Sequence, residues 1–240
     1  GEANSLDYGA RIYDPRVGRW MSTDPLESKY PSMSSYCSFG NNPIYYIDPD
    51  GREIIDPQGN RVTYTIGEDG LLTWSQNATI DIKRIGNAMA RSEEGLRQLG
   101  LMQSATHKVY LNIDRVSKPP GKDGYTDKEF SWDNTNNTFV LYSATVTIYE
   151  ANLKEFAEKI NNRSIVPREN QGRLYARLSN DIDAMIASVA SHEAVHASDM
   201  TNITQSLHNK KLSTTHDVEQ APEEVETRVL NQLILRQEQR

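Results

Sequence analysis

The stretch from Asn180 to Thr201 constrains the chain more than any other. Ile182, Met185, Ile186, Val189, Ala190, Ala194, Val195 and Ala197 recur there at three- and four-residue intervals, the period of an α-helix. A helix this apolar must be mostly buried. Asn180, Asp181 and Asp183 stand at its start, where a capping side chain and negative charge suit the helix dipole. Into this frame are set His192, Glu193 and His196, spaced HExxH. A spacing of four puts both imidazoles on one helical face, able to share one zinc ion, with Glu193 beside them to polarise a metal-bound water. Imidazoles at the edge of a core need partners, because an unpaired buried polar group is costly.

This pattern is the working core of a zinc metallopeptidase, and it needs a third protein ligand. Ala221 to Arg240 reads as a second helix, with Pro222 at a plausible first position and an apolar series Val225, Val229, Leu230, Leu233 and Ile234. Glu223, Glu224 and Glu226 lie near its start. Rival ligands are His208, His216, Asp199 and Glu219. The three-histidine motif HExxHxxGxxH fails, since Asp199 stands at its glycine and Asn202 at its last histidine. Glu226 lies nearest the middle of the apolar stripe, while Glu224 is followed three residues later by the small Thr227. The second pattern resembles that of small HExxH peptidases and favours Glu224, with Glu223 and Glu226 as alternatives.

Two neutral histidines and one carboxylate leave a fourth metal position open for water, whose pKa zinc lowers to ~7. Glu193 is then the expected general base, taking that proton during attack on a peptide carbonyl and passing it to the leaving amine. The same residues allow a different class of function: a catalytically silent toxin or protein-binding module whose metal helix is only structural. A zinc amidase acting on a non-peptide amide is a third.

The other end of the chain is also distinctive. It runs Asp7, Tyr8, Gly9, Ala10, Arg11, Ile12, Tyr13, Asp14, Pro15, Arg16, Val17, Gly18, Arg19, Trp20, then Thr23, Asp24, Pro25, Leu26. Asn41, Asn42, Pro43, Ile44 follow, and Tyr46, Ile47, Asp48, Pro49, Asp50, Gly51, Arg52 close it. This segment resembles the RHS repeat-associated core, which closes the large β-shell of RHS and YD-repeat proteins. The resemblance implies that residues 1–52 are the C-terminal segment of such a core and residues 53–240 a toxin domain of a longer polypeptide. It further implies enclosure by the RHS shell of the same polypeptide, delivery from a bacterium into a neighbouring cell, a protein substrate there and a cognate immunity protein in the producer. It also implies a self-cleavage pair at Asp24 and Asp48. Glu27 and Arg52 depart from the Gly and Leu of members that cut themselves, and the DP and DG pairs also serve as ordinary turn formers.

A net charge of −7 over 240 residues argues against a nucleic-acid partner, which calls for a basic face. No apolar run approaches the ~20 residues of a membrane span, and the first residues lack the form of a signal peptide. Cys37 is the one cysteine, so no internal disulfide forms.

Between the two ends the pattern is mixed. Strands broken by turns are expected over Ile54 to Ser75, a helix over Ile80 to Met102, a strand over Lys108 to Ile113, and a polar loop over Lys118 to Asn137. Thr138 to Tyr149 reads as a strand or hairpin, Leu153 to Ile160 as a short helix, and Asn202 to Gln220 as a loop over the cleft. The fold class expected is α+β: a minimal zincin-like domain of small sheet, HExxH helix and glutamate helix. By resemblance to zincins, Thr138 to Ile148 is the expected edge strand for substrate.

Overall fold

The computed structural model describes residues 54–135, 138–167, 170–212 and 216–239, together with short strands before them. The chain divides into two compact units, Gly1–Arg52 and Glu53–Arg240. In the first, β1 (Leu6–Asp7), β2 (Ile12–Asp14) and β3 (Arg19–Trp20) form a small antiparallel sheet in the order β1-β2-β3. Asp24, Cys37 and Asp48 lie outside the described residues.

The second unit is α+β. It opens with β4 (Ile54–Ile55), β5 (Arg61–Val62), β6 (Tyr64–Ile66) and β7 (Leu72–Trp74). Their turns use Gly59 and Gly70 at φ of 83° and 75°, a conformation that costs glycine nothing. There follow α1 (Ile80–Met89), α2 (Glu93–Gln103), β8 (Lys108–Asp114), β9 (Gly124–Asp133) and β10 (Thr138–Tyr149). The chain then turns helical through α3 (Glu150–Asn161), α4 (Asn170–Arg177), α5 (Ile182–Ser198), α6 (Met200–Leu212) and α7 (Gln220–Glu238). The main sheet has the order β5-β4-β8-β10-β9, with β8 parallel to both β4 and β10 and β9 antiparallel to β10.

Helix α5 is the centre of this unit. Asp181 caps it by accepting a hydrogen bond from Ala184 N at 2.9 Å, and Arg91 holds the same carboxylate from α1's end. Met185, Ile186, Ala187, Ala190 and Ala194 are fully buried, packed by α1, α2 and α7 and by the β9–β10 face. Each large apolar side chain placed there contributes about 1.5–3 kcal/mol. The apolar residues nearly surround the helix, so α5 has no solvent face along most of its length.

Four sequence expectations are corrected. The helix expected over Ile80 to Met102 is two helices, because Ser92 accepts from Gly95 N at 3.0 Å and starts α2. Gly95 has no Cβ, which would lie 2.3 Å from the Met89 carbonyl oxygen. The expected loop from Lys118 to Asn137 contains the long strand β9, whose ladder with β10 runs from Gly124↔Ile148 to Asp133↔Thr138. Strand β10 lies between β8 and β9, so β9, and not β10, is the edge strand at this end of the sheet. The expected loop after Asn202 begins instead as α6, seated by buried Ile203 and Leu207.

Candidate metal centre

His192 and His196 lie one turn apart near the C-terminal end of α5, with ring centroids 5.2 Å apart. Their Nε2 atoms converge on one group: Glu219 Oε2 is 3.3 Å from His192 Nε2 and 3.3 Å from His196 Nε2. These three side chains present donor atoms within 4.8 Å of one another, close enough to share one metal ion. The donor set of two imidazoles and one carboxylate suits zinc.

The opposite ring nitrogens are fixed separately. His192 Nδ1 is 3.1 Å from Glu226 Oε2, and His196 Nδ1 is 3.0 Å from Asn202 Oδ1. With the Nδ1–H donating in each case, Nε2 is the nitrogen of both rings that faces the shared point, and it becomes the metal-ligating atom once a metal displaces its proton. Asn202 is itself held, donating from Nδ2 to the Val218 carbonyl at 2.6 Å and from its backbone N to Asp199 Oδ1 at 2.9 Å. Glu226 is buried and accepts from Tyr175 Oη and Gln171 Nε2 as well, so its charge is satisfied on several sides. Burial and the Glu226 carboxylate push the Tyr175 hydroxyl well above its ordinary pKa, keeping it a donor.

Electrostatics favour positive charge here. Burial disfavours a proton on His192, but hydrogen bonds to Glu219 and Glu226 outweigh it and push the imidazole pKa up to about 10. Glu219 is held down to about 2, first by its bond to His192 and then by the charge of both imidazoles. The acceptors that favour a proton at this point favour a cation for the same reason.

Glu193 is held at the sheet side of the same cleft. Thr126 Oγ1 lies 2.7 Å from Glu193 Oε2 and 3.1 Å from its backbone carbonyl oxygen. The strand passes so close that a Cβ on Gly124 would stand 2.8 Å from Glu193 Cγ and 2.6 Å from Val189 Cγ1. Glycine at this position is therefore a condition for β9 to run along the helix. Strand β9 and the helices enclose a cleft of about 720 Å³ that includes His192, Glu193, His196, Glu219 and Glu226.

The structure brings together His192, Glu193 and His196 but not Glu224. The Glu224 side chain is exposed, accepting from Gln220 Nε2 at 3.1 Å and lying 4.0 Å from Arg228 Nη1. Glu223 is also exposed and outside the cleft. The reason is where α7 starts. Glu219 is its N-cap residue and makes no side-chain cap bond; Asp217 Oδ1 instead accepts from the Glu219 and Gln220 backbone N–H groups at 3.0 and 3.2 Å. The Glu219 carboxylate is thus free to reach the histidines. At about 100° per residue, Glu226 is seven positions on and returns to within about 20° of Glu219, whereas Glu224 is rotated by about 140°. Replacing Asn202 with Ala should weaken zinc binding by about tenfold without removing a ligand, measured by competition with a chromogenic chelator; unchanged affinity would mean that Asn202 does not orient His196.

No helix among the described residues is long and apolar enough to cross a membrane. No protein-family model and no solved structure matches the chain. The chain is similar to salivary gland surface protein 1 of Aedes aegypti, 45% identical over 51 residues, which are 21% of this chain and 1% of that protein. It is also similar to toxin subunit YenC2 of Yersinia entomophaga, 41% identical over 49 residues, 20% of this chain and 5% of that protein. The chain thus spans a small fraction of the length of the curated relatives it matches.

Proposed function

We propose that the chain carries a zinc-dependent metallopeptidase domain of zincin-like architecture, acting as the toxin part of an RHS-type effector on a protein of the target cell. The observation that carries this reading is the convergence of His192 Nε2, His196 Nε2 and Glu219 on one point, each imidazole oriented from behind. Bound there, zinc would supply Lewis-acid polarisation of a peptide carbonyl and a water acidified to a pKa of ~7. Glu193 takes the proton of the attacking water and delivers it to the departing amine. Thr126 holds the Glu193 carboxylate against β9, which keeps the base at the wall of the cleft where a peptide would lie. The free edge of β9 is a suitable surface for an extended guest to pair with.

The similarity to toxin subunit YenC2 supports the effector part of the reading, as does the resemblance of residues 1–52 to an RHS core. A cognate immunity protein, the RHS shell and passage from a bacterium into a neighbouring cell belong to the same proposal. The test is metal content by mass spectrometry after zinc loading and dialysis. About one zinc per chain is expected in the parent and almost none in His196→Ala; no zinc in the parent would overturn the metal centre and the peptidase with it.

A further inference from the structure

The cleft is acidic where the metal would be and basic a short way along β9. Gly124, Thr126, Lys128 and Phe130 share one face of that strand by the two-residue alternation of side chains, and all four line the cleft. Thr126 marks the position of Glu193. Lys128 is the next same-face residue, about 7 Å farther along the strand. It is half-buried, and its ammonium group makes no hydrogen bond or ion pair among the described residues. Its longer-range attractions are to Glu193 first, then Glu219 and Asp127, and it is opposed by Lys210 of α6, which also lines the cleft.

Helix α6 is braced at this end of β9. The His208 ring meets Trp132 edge-on with centroids 5.7 Å apart, and Lys211 Nζ lies 5.7 Å from the same indole. Lys210 is therefore carried on a helix fixed to the strand that carries Lys128. Among the carboxylates of the cleft, Glu193 accepts from Thr126, Glu219 meets two imidazoles, Glu226 is held by Tyr175, Gln171 and His192, and Asp127 attracts Lys128 from the alternate face of β9 without a hydrogen bond to it. Two ammonium groups thus line the same cleft with no hydrogen-bond or ion-pair partner among the described residues. Burial and the like charge of Lys210 both oppose the Lys128 ammonium, and a guest carboxylate placed between the two lysines would relieve both.

We infer that Lys128, supported by Lys210, is a carboxylate-reading subsite, and that the cleft selects protein segments with an Asp or Glu side chain within two residues of the bond beside Glu193. This specificity rests on the metallopeptidase reading. A guest strand paired with β9 advances at the same ~3.3 Å per residue as β9 itself, so one same-face step on the guest matches the step from Thr126 to Lys128. Charge complementarity across such an interface sets which segment binds more than how tightly any segment binds.

Two measurements test it. Cut sites of the zinc-loaded chain in a proteome-derived peptide library, read by mass spectrometry against Glu193→Gln, should show Asp or Glu enriched at one subsite about tenfold over Lys or Arg. Lys128→Glu should invert that ratio, and Lys210→Glu should shift it in the same direction by less. Separately, alanine-based hexapeptides with a single Glu should bind the Glu193→Gln chain about tenfold more tightly than those with a single Lys, with the order reversed by adding Lys128→Glu. Glu193-dependent cuts without acidic enrichment, or a preference unmoved by Lys128→Glu, would overturn the subsite alone. A uniform fall in kcat for all peptides in Lys128→Glu would do the same, since it would make Lys128 a general electrostatic group. Absence of any Glu193-dependent cut would overturn the peptidase reading and this specificity together.

Discussion

Glu193→Gln is expected to lower peptide hydrolysis by about 10³-fold while zinc content stays at that of the parent. General-base catalysis contributes about 10²–10⁴ in rate, and glutamine keeps the shape of glutamate without the ability to take a proton. The surroundings of Glu193 make the substitution conservative for folding. Its carboxylate is buried and accepts from Thr126, and an amide oxygen accepts the same bond. Neither histidine hydrogen-bonds to Glu193; their contacts are with Glu219, Glu226 and Asn202. Metal affinity and catalysis are therefore separable in this site. The measurement is a pair of curves: turnover of a fluorogenic peptide mixture or of toxicity in cells, and zinc per chain by mass spectrometry. Equal activity of the two chains would sink the mechanism; loss of zinc along with activity would show that Glu193 helps to hold the metal.

The parts of the site that lie inside one helix could be read directly. His192 and His196 share a face because α-helical spacing leaves no other choice, and the apolar run around them fixes that the helix is buried. Helices α3, α5 and α7 follow the same logic, each within a few residues of its expected bounds. The strand β9 was hidden because its composition is that of a loop: Gly124, Asp127, Lys128, Glu129 and Asp133 dominate it. An edge strand lining a polar cleft on one face and solvent on the other needs no apolar face, so hydrophobic alternation fails along the wall of the cleft. The alternation of Thr126, Lys128 and Phe130 with exposed Tyr125 and Asp127 was the remaining signal. Helix α6 was hidden for a similar reason, since Ile203 and Leu207, four apart, are its buried apolar residues, and its other anchors are polar or aromatic contacts that leave no apolar stripe.

The most informative difference between sequence and structure concerns the carboxylate that meets the two histidines, and it carries the second large prediction. Loss of a metal ligand should weaken zinc binding by more than about a hundredfold, beyond the range of an outer-shell change. Glu219→Ala should do this, and Glu224→Ala should leave affinity unchanged within about twofold. Sequence reasoning placed the ligand inside the glutamate helix, where Glu223, Glu224 and Glu226 are spaced along the first turns. The carboxylate that reaches both Nε2 atoms instead belongs to the N-cap residue, ahead of all three and on the side of the helix that Glu226 shares. The signal was Asp217, a better cap than Glu219, which relieves the glutamate of that duty. Glu226 has a different place. It holds His192 from Nδ1 and is itself gripped by Tyr175 and Gln171, so Glu226→Gln should cost about ten- to a hundredfold, as an orienting partner does. An order of loss running Glu219, then Glu226, then Glu224 follows from these contacts. If Glu226→Ala abolished zinc binding while Glu219→Ala retained it, the roles of the two carboxylates would be exchanged, with Glu226 the ligand.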